Sequence, residues 1–171
     1  MSGSNSREPS QNVHTGSTIR DGDVSRHNAA MAWWRVRQVL NGVNGSTLAG
    51  LAIGAAGRCA FHRGPRGLVV ATGYRLPQPR VPAFTVGNVV LTPHGRDWLD
   101  SRPRLLAHEE RHASQYVACL GLPMLPLYAV ASGWSYLRGG DFGVHNPFER
   151  AAGLADGGYP LLGARARRRT A

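Results

Sequence analysis

The chain has 171 residues, 42 % of them hydrophobic, and a formal net charge of +10, which bounds it to one compact domain with no room for a second. All twenty basic residues are Arg, as a GC-rich coding bias produces, and only Arg165, Arg167, Arg168 and Arg169 cluster. No aromatic residues interleave with that cluster, so base stacking has no platform and no nucleic-acid partner is expected. Cys59 and Cys119 stand far apart outside any CxxC arrangement, which excludes a zinc knuckle and a disulfide framework; Cys119 reads as a small core residue.

In chain order, residues 1–28 are rich in Ser, Asn and Gly without apolar periodicity and are expected to form a disordered lead. The first thirty residues hold no 7–15-residue apolar run after a basic start, so a cytoplasmic protein is expected. The domain is expected over 29–163, followed by an Arg-rich tail at 164–171. Met31 to Leu40 reads as a short amphipathic helix ended by Asn41-Gly42. Leu48 to Ala55 and Leu68 to Tyr74, on either side of the Arg63-Gly64-Pro65-Arg66-Gly67 turn, read as a strand pair. Arg75 to Pro82 is an extended, proline-rich connector, and Phe84 to Thr92 a strand in which Gly87-Asn88 marks a bulge or a close backbone approach. Turn-rich sequence over Pro93 to Arg104 precedes helices at about Leu105–Leu120, Leu125–Leu137 and Pro147–Ala155.

Two charge-free stretches invite comparison with membrane spans. Gln38 to Gly57 is too polar and glycine-rich, and Ala113 to Leu137 is broken by Pro123 and Pro126. The second is read as buried helix, turn and further apolar segment, with membrane contact by Leu122 to Leu137 as the alternative.

Within the first of those later helices stands His108-Glu109-Glu110-Arg111-His112, an H-E-x-x-H. Helical residues four apart lie about 40° apart on one face and roughly 6 Å apart along the axis, so two imidazoles so placed converge on one metal. Zn²⁺ takes neutral His nitrogens at about 2.0–2.1 Å and, in catalytic sites, leaves one position to water. Glu109, about 100° round from His108, can reach that water without becoming a ligand, the position of a general base. The flanking Leu105, Leu106, Ala107, Tyr116, Val117 and Leu120 supply an apolar face, so the motif sits on a helix that enters a core.

Three segments, PAFTVGNVVLTPHG (Pro82 to Gly95), LLAHEERHASQY (Leu105 to Tyr116) and NPFER (Asn146 to Arg150), resemble zincin-type metallopeptidases of bacteria. The layout is similar to the small peptidase-like domain of toxin- and secretion-associated proteins, over roughly Ala83 to Gly158 with an echo back to about Thr47. The resemblance implies an α+β, minimal zincin-like fold, in which a short sheet packs on the HExxH helix and a ligand-bearing helix follows. It implies Zn²⁺ on His108 and His112, with Glu149 as a gluzincin-like third ligand, Glu109 as catalytic base, and Gln115 in a supporting or substrate-facing role. In such folds the strand beside the active helix pairs with extended peptide, here Phe84 to Leu91.

The chain departs from the family twice. Glu110 stands where an apolar residue is usual and needs a partner such as Arg111 or Arg150. Gly153 stands where a carboxylate often orients a histidine, and Asp156 is the nearest carboxylate. Glu149 also fits a plain capping box, with Asn146 at N-cap and Pro147 at N1. His145, Asp141 and Asp156 are its rivals as ligand, and Tyr116, Tyr136, His145 and Arg150 are candidates to stabilise an oxyanion. The expected function is a zinc-dependent metallohydrolase, foremost a peptidase acting on a peptide or protein. The alternatives are a degenerate zincin that binds without cleaving, and a basic adaptor for nucleic acid or membrane surfaces.

Overall fold

The structure, a computed structural model, describes residues 33–77 and 81–159. The lead at 1–28, the tail at 164–171, Met31 and both ends of the expected domain lie outside the described residues. Helix α1 covers 33–43, followed by α2 (Ser46–Ala56), β1 (Ala60–Arg63), a 3₁₀ turn (Pro65–Gly67), β2 (Val69–Thr72), β3 (Phe84–Val86) and β4 (Val89–Thr92). Helices α3 (Arg96–Asp100), α4 (Pro103–Ala118), α5 (Met124–Gly139) and α6 (Pro147–Ala152) complete the α+β domain. Among the described residues no helix is long and apolar enough to cross a membrane.

The strands form one mixed sheet in the order β1-β2-β4-β3. Two antiparallel hairpins, β1–β2 and β3–β4, are joined by a parallel pairing that sets Val69 to Thr72 beside Val89 to Thr92. Side chains alternate between the faces. Val70 and Val90 point into one core cluster with Leu68, Ala83, Leu99 of α3, and Leu105 and Ala113 of α4. Ala71, Val89 and Leu91 point into the other, against Ala49, Leu51 and Ile53 of α2, and this cluster continues to Tyr116 and Met124.

Four expectations are corrected. Leu48 to Ala55 lies in helix α2, not in a strand, and the partner of β2 is Ala60–Arg63. Gly50 and Gly54 are the reason: a Cβ on Gly50 would lie 2.4 Å from the Val86 carbonyl oxygen, and one on Gly54 would lie 2.9 Å from the Phe61 ring. Glycines four apart thus give α2 a flat side on which it lies against the sheet, and sequence reading takes the same glycines for helix breakers. Phe84 to Thr92 is two strands, since Val86 pairs with Val89 around a Gly87-Asn88 loop with Gly87 at φ 61°, the positive φ that a two-residue hairpin with glycine first requires. The close approach also holds, because a Cβ on Gly87 would meet the Ser46–Thr47 backbone at 2.5 Å.

Asn41-Gly42 does not end α1, which continues to residue 43. The fully buried Asn41 is committed to tertiary structure: its Nδ2 donates to Asn88 Oδ1 (3.1 Å) and to the Ala113 carbonyl (2.8 Å). Asn88 Nδ2 in turn donates to the Gln38 carbonyl and to Thr47 Oγ1. A turn-forming residue is held in a helix because its amide joins α1, α4 and the β3–β4 turn.

Glu110 is paired with neither Arg111 nor Arg150. The buried Arg37 of α1 donates to its Oε1 at 2.9 Å, and Arg66 of the 3₁₀ turn donates to both carboxylate oxygens. Arg37 also donates to the Arg66 carbonyl at 2.6 Å, so one carboxylate fixes α1 and the β1–β2 turn to α4. Replacing it leaves a buried guanidinium without its counter-charge, which costs several kcal/mol, whereas exposed pairs contribute little. Glu110→Gln is expected to lower unfolding stability by about 3 kcal/mol in urea denaturation. Asp100→Asn, which breaks the exposed Arg96–Asp100 pair, is expected to cost less than about 1 kcal/mol.

Candidate metal centre

Helix α4 buries Leu105, His108, Glu109, His112, Ala113 and Tyr116, the i, i+3, i+4, i+7 stripe of a helix seated in a core. The two histidines and Glu109 therefore share a face with apolar residues. The N-terminus of α6 brings the third group: Asn146 caps the helix by accepting from the Phe148 N–H at 2.9 Å, and Pro147 opens it. Glu149 is not used in a capping box; its carboxylate is turned inward.

His108, His112 and Glu149 form a buried group whose donor atoms lie within 4.8 Å of one another. The Nε2 atoms of the histidines are 3.0 Å apart, and the carboxylate of Glu149 is 3.2 Å from His108 Nε2 and 3.4 Å from His112 Nε2. The opposite ring nitrogens are engaged. His108 Nδ1–H donates to the carbonyls of Ala152 and Gly153, each at 3.1 Å, and carbonyls only accept. His112 Nδ1–H donates at 2.9 Å to Gln115 Oε1, whose amide is oriented by its own N–H on the Phe148 carbonyl. Both Nε2 atoms thus face one another and a carboxylate, an arrangement that can take a cation at its centre.

Three observations test whether a metal ion fits. Glu149 Oε2 is buried without a hydrogen-bond partner. The Gly157 backbone passes over His108 so closely that a Cβ would lie 2.5 Å from Cε1 and 2.7 Å from Nε2, leaving room there only because no side chain is present. The donors are two imidazoles and one carboxylate, a set that divalent transition metals take. Burial opposes ionisation of Glu149, yet the adjacent His108 and His112 rings and the Tyr128 hydrogen bond hold its carboxyl down at about 2, so it remains an anion. The site can hold a metal ion.

Glu109 lies beside this group without belonging to it. Thr85 Oγ1 of β3 donates to its Oε2 at 2.7 Å. Burial pushes its carboxyl above the usual carboxylate range, against the pull of His112, the Thr85 hydrogen bond and His108.

The carboxylate missing at Gly153 is replaced by main chain, since the carbonyls of Ala152 and Gly153 hold His108. Asp156 is taken up by Arg111 at 2.9 Å, and Arg111 also donates to the Ala152 carbonyl. Gln115 is brought to the site as a support of His112. Tyr116 is not: it is buried in the second core cluster, with Val86 and Met124 around it. His145 packs its ring on Gly139 at the end of α5, Tyr136 stacks on Phe142, and Arg150 is exposed. Neither His145, Asp141 nor Asp156 belongs to the donor group.

Sequence reading misses three residues. Thr85 is one. Tyr128 of α5 donates its phenol O–H to Glu149 Oε1 and sets its ring edge-on to His112. Burial and the Glu149 charge keep that phenol far above its ordinary range, hence protonated. Tyr159 lies within hydrogen-bonding reach of Tyr128, and burial together with Glu149 pushes its phenol up to about 12. A tyrosine in a helix called only by its apolar pattern carries no sequence signal for this task.

No family model, curated protein or solved structure matches the chain; the α+β domain and its buried His-His-Glu group stand on the chain's own geometry.

Titration with divalent transition metals is expected to load one ion per chain. His112→Ala and Glu149→Ala are expected to abolish loading, read by elemental analysis after gel filtration. Gly157→Ala, which touches no ligand bond, is expected to weaken binding at least tenfold by displacing the His108 ring. Tyr128→Phe is expected to weaken it by about 10–100-fold, as loss of a ligand-orienting hydrogen bond does.

Proposed function

We propose that the chain is a zinc-dependent hydrolase that cleaves peptide bonds in the manner of a minimal gluzincin. The observation that carries this reading is the placement of Glu109: buried, fixed through one oxygen by Thr85, and adjacent to the His-His-Glu group without being one of its donors. A structural metal site has no use for a second buried carboxylate that stands apart from the ligands and carries an upward-shifted proton affinity.

His108, His112 and Glu149 would hold Zn²⁺ and leave a coordination position open. Bound zinc polarises a carbonyl and acidifies water. Glu109 takes the proton from the attacking water and returns it to the leaving amine; Thr85 leaves its second oxygen free for this exchange. The Tyr159 phenol, which feels both Glu149 and Glu109 and stays protonated, is the neutral donor available to the oxygen on which charge develops. It replaces Tyr116, Tyr136, His145 and Arg150 in that role.

Peptide is the favoured substrate class because β3 is a terminal strand of the sheet and carries Thr85 beside Glu109. A terminal strand offers main-chain groups to an extended segment. A cavity of about 480 Å³ lined by Pro82, Trp98, Arg104, Leu105 and Gly157, among others, meets the site at Gly157, which covers His108. It gives an adjoining side chain a place to enter.

Turnover of a peptide library by the zinc-loaded protein, read by mass spectrometry, tests the reading. Glu109→Gln is expected to lower the rate by about 10²–10⁴-fold with zinc content unchanged, and Tyr159→Phe by about 10²-fold. Zinc-loaded wild type that cleaves nothing, or Glu109→Gln with undiminished turnover, leaves the binding-module alternative in possession of the same ligands.

A further inference from the structure

Helix α5 turns most of its circumference outward. At about 100° per residue, its inward residues Met124, Tyr128 and Ser135 fall within an arc of roughly 40°. The remaining circumference carries exposed apolar side chains, including Leu125, Leu127, Val130, Trp134, Tyr136 and Leu137. They span roughly 200°, and the first charge along the helix is Arg138 in its last turn. Val130 is 73 % exposed and Leu137 84 %, values far from those of a face covered within its own chain.

The surface extends beyond α5. Leu120 and Leu122, in the turn that leads into it, are exposed, as are Val43 and Leu48 at the corner between α1 and α2. The two corners touch, since Gly121 lies against the Asn44 side chain. Monomeric domains seldom expose an apolar area of this continuity without an occupant. The residues of this sequence outside the described ones supply Met1, Val13, Ile19, Val24, Met31, Leu161 and Leu162 as their large apolar side chains, too few and too scattered to cover it.

Charge identifies the occupant. Helices α1, α2 and α5 contain no Asp or Glu, whereas the exposed Arg35, Arg58 and Arg138 lie on or next to them. Trp134 and Tyr136 stand in the last turns of α5, with the Arg138 guanidinium 5.9 Å from the Trp134 ring. Apolar side chains flanked by amphipathic aromatics and arginines, with acids absent, suit the boundary between acyl chains and anionic headgroups. A helix of this length with one face held by protein lies in that boundary and does not cross it.

We propose that the outer arc of α5, with the neighbouring α1–α2 and α4–α5 corners, is a docking surface for an anionic lipid bilayer. It is independent of the proposed hydrolysis. The inward face of the same helix carries Tyr128, hydrogen-bonded to Glu149, so docking places the metal centre one helix away from the membrane surface.

The test is co-sedimentation of the full chain with vesicles of phosphatidylcholine alone or with 30 mol % phosphatidylglycerol as a chosen, roughly physiological anionic fraction, together with Trp fluorescence. Binding to the anionic vesicles, with a blue shift and at least tenfold weaker partition into neutral ones, is expected. The double substitution Val130→Glu, Leu137→Glu is expected to lower partition at least tenfold while leaving the thermal melt within a few degrees, because both positions are exposed. Arg138→Gln with Arg58→Gln is expected to weaken binding and reduce its salt dependence. No partition into anionic vesicles, equal partition into both kinds, or partition unchanged by the Glu pair overturns the proposal. So does a dimer in sedimentation equilibrium that the Glu pair dissociates in a chain that ignores vesicles, an outcome that makes this face an interface between copies.

Discussion

Four ionisable side chains, His108, Glu109, His112 and Glu149, are buried together at one place in a domain whose apolar core is small, and much of the structure is arranged around satisfying them. Removing a charge from water costs several kcal/mol unless partners replace the solvent. The partners come from every side: Thr85 from β3, Tyr128 from α5, the carbonyls of Ala152 and Gly153 from the end of α6, and Gln115 from α4 itself. Glu110, one residue on, does the same on the opposite flank by holding Arg37 of α1 and Arg66 of the β1–β2 turn. Helix α4 thus organises the fold through polar contacts on two sides as much as through Leu105 and Ala113 against the sheet.

This division explains what could be read from the sequence. The HExxH spacing falls on the apolar stripe of a helix, so the helix and the convergence of His108 and His112 are both consequences of a 3.6-residue period. Glu149 is visible because Asn-Pro-x-Glu fixes a helix start and puts the carboxylate three residues in; the signal serves capping and ligation equally, and only tertiary placement separates them. Strand β2, the turn at 63–67 and the apolar run of α5 are local patterns and emerge as such.

What escapes the sequence depends on approach between distant segments. Helix α2 looks like a strand until Gly50 and Gly54 are seen to face the sheet. Asn41 looks like a helix stop until its amide finds Asn88 and Ala113. The support of His108 comes from main-chain carbonyls, which every residue carries and no motif encodes. Tyr128 and Tyr159 stand in segments chosen by composition alone, and Tyr116, one turn beyond His112, points to the core because the sheet edge lies on that side of the helix. Partners of a buried polar group are set by geometry, so the sequence names the group and leaves its partners unnamed.

The two long helices then divide the surface and the interior in opposite ways. Helix α4 buries His108, Glu109 and His112 on the same stripe as Leu105, Ala113 and Tyr116, whereas α5 turns most of its apolar residues outward, against the usual amphipathic rule. In α4 the cost of the arrangement is offset by hydrogen bonds, and because only the folded chain brings His108, His112 and Glu149 together, a metal ion held there would link ligation to folding. In α5 no polar network offsets it, and the exposed arc remains a cost in water. The single side chain that belongs to both is Tyr128, anchored to Glu149 from the inner face of α5. The helix whose outer arc is exposed therefore also supplies, from its inner face, the hydrogen bond that orients Glu149, and one element joins the apolar surface to the buried His-His-Glu group.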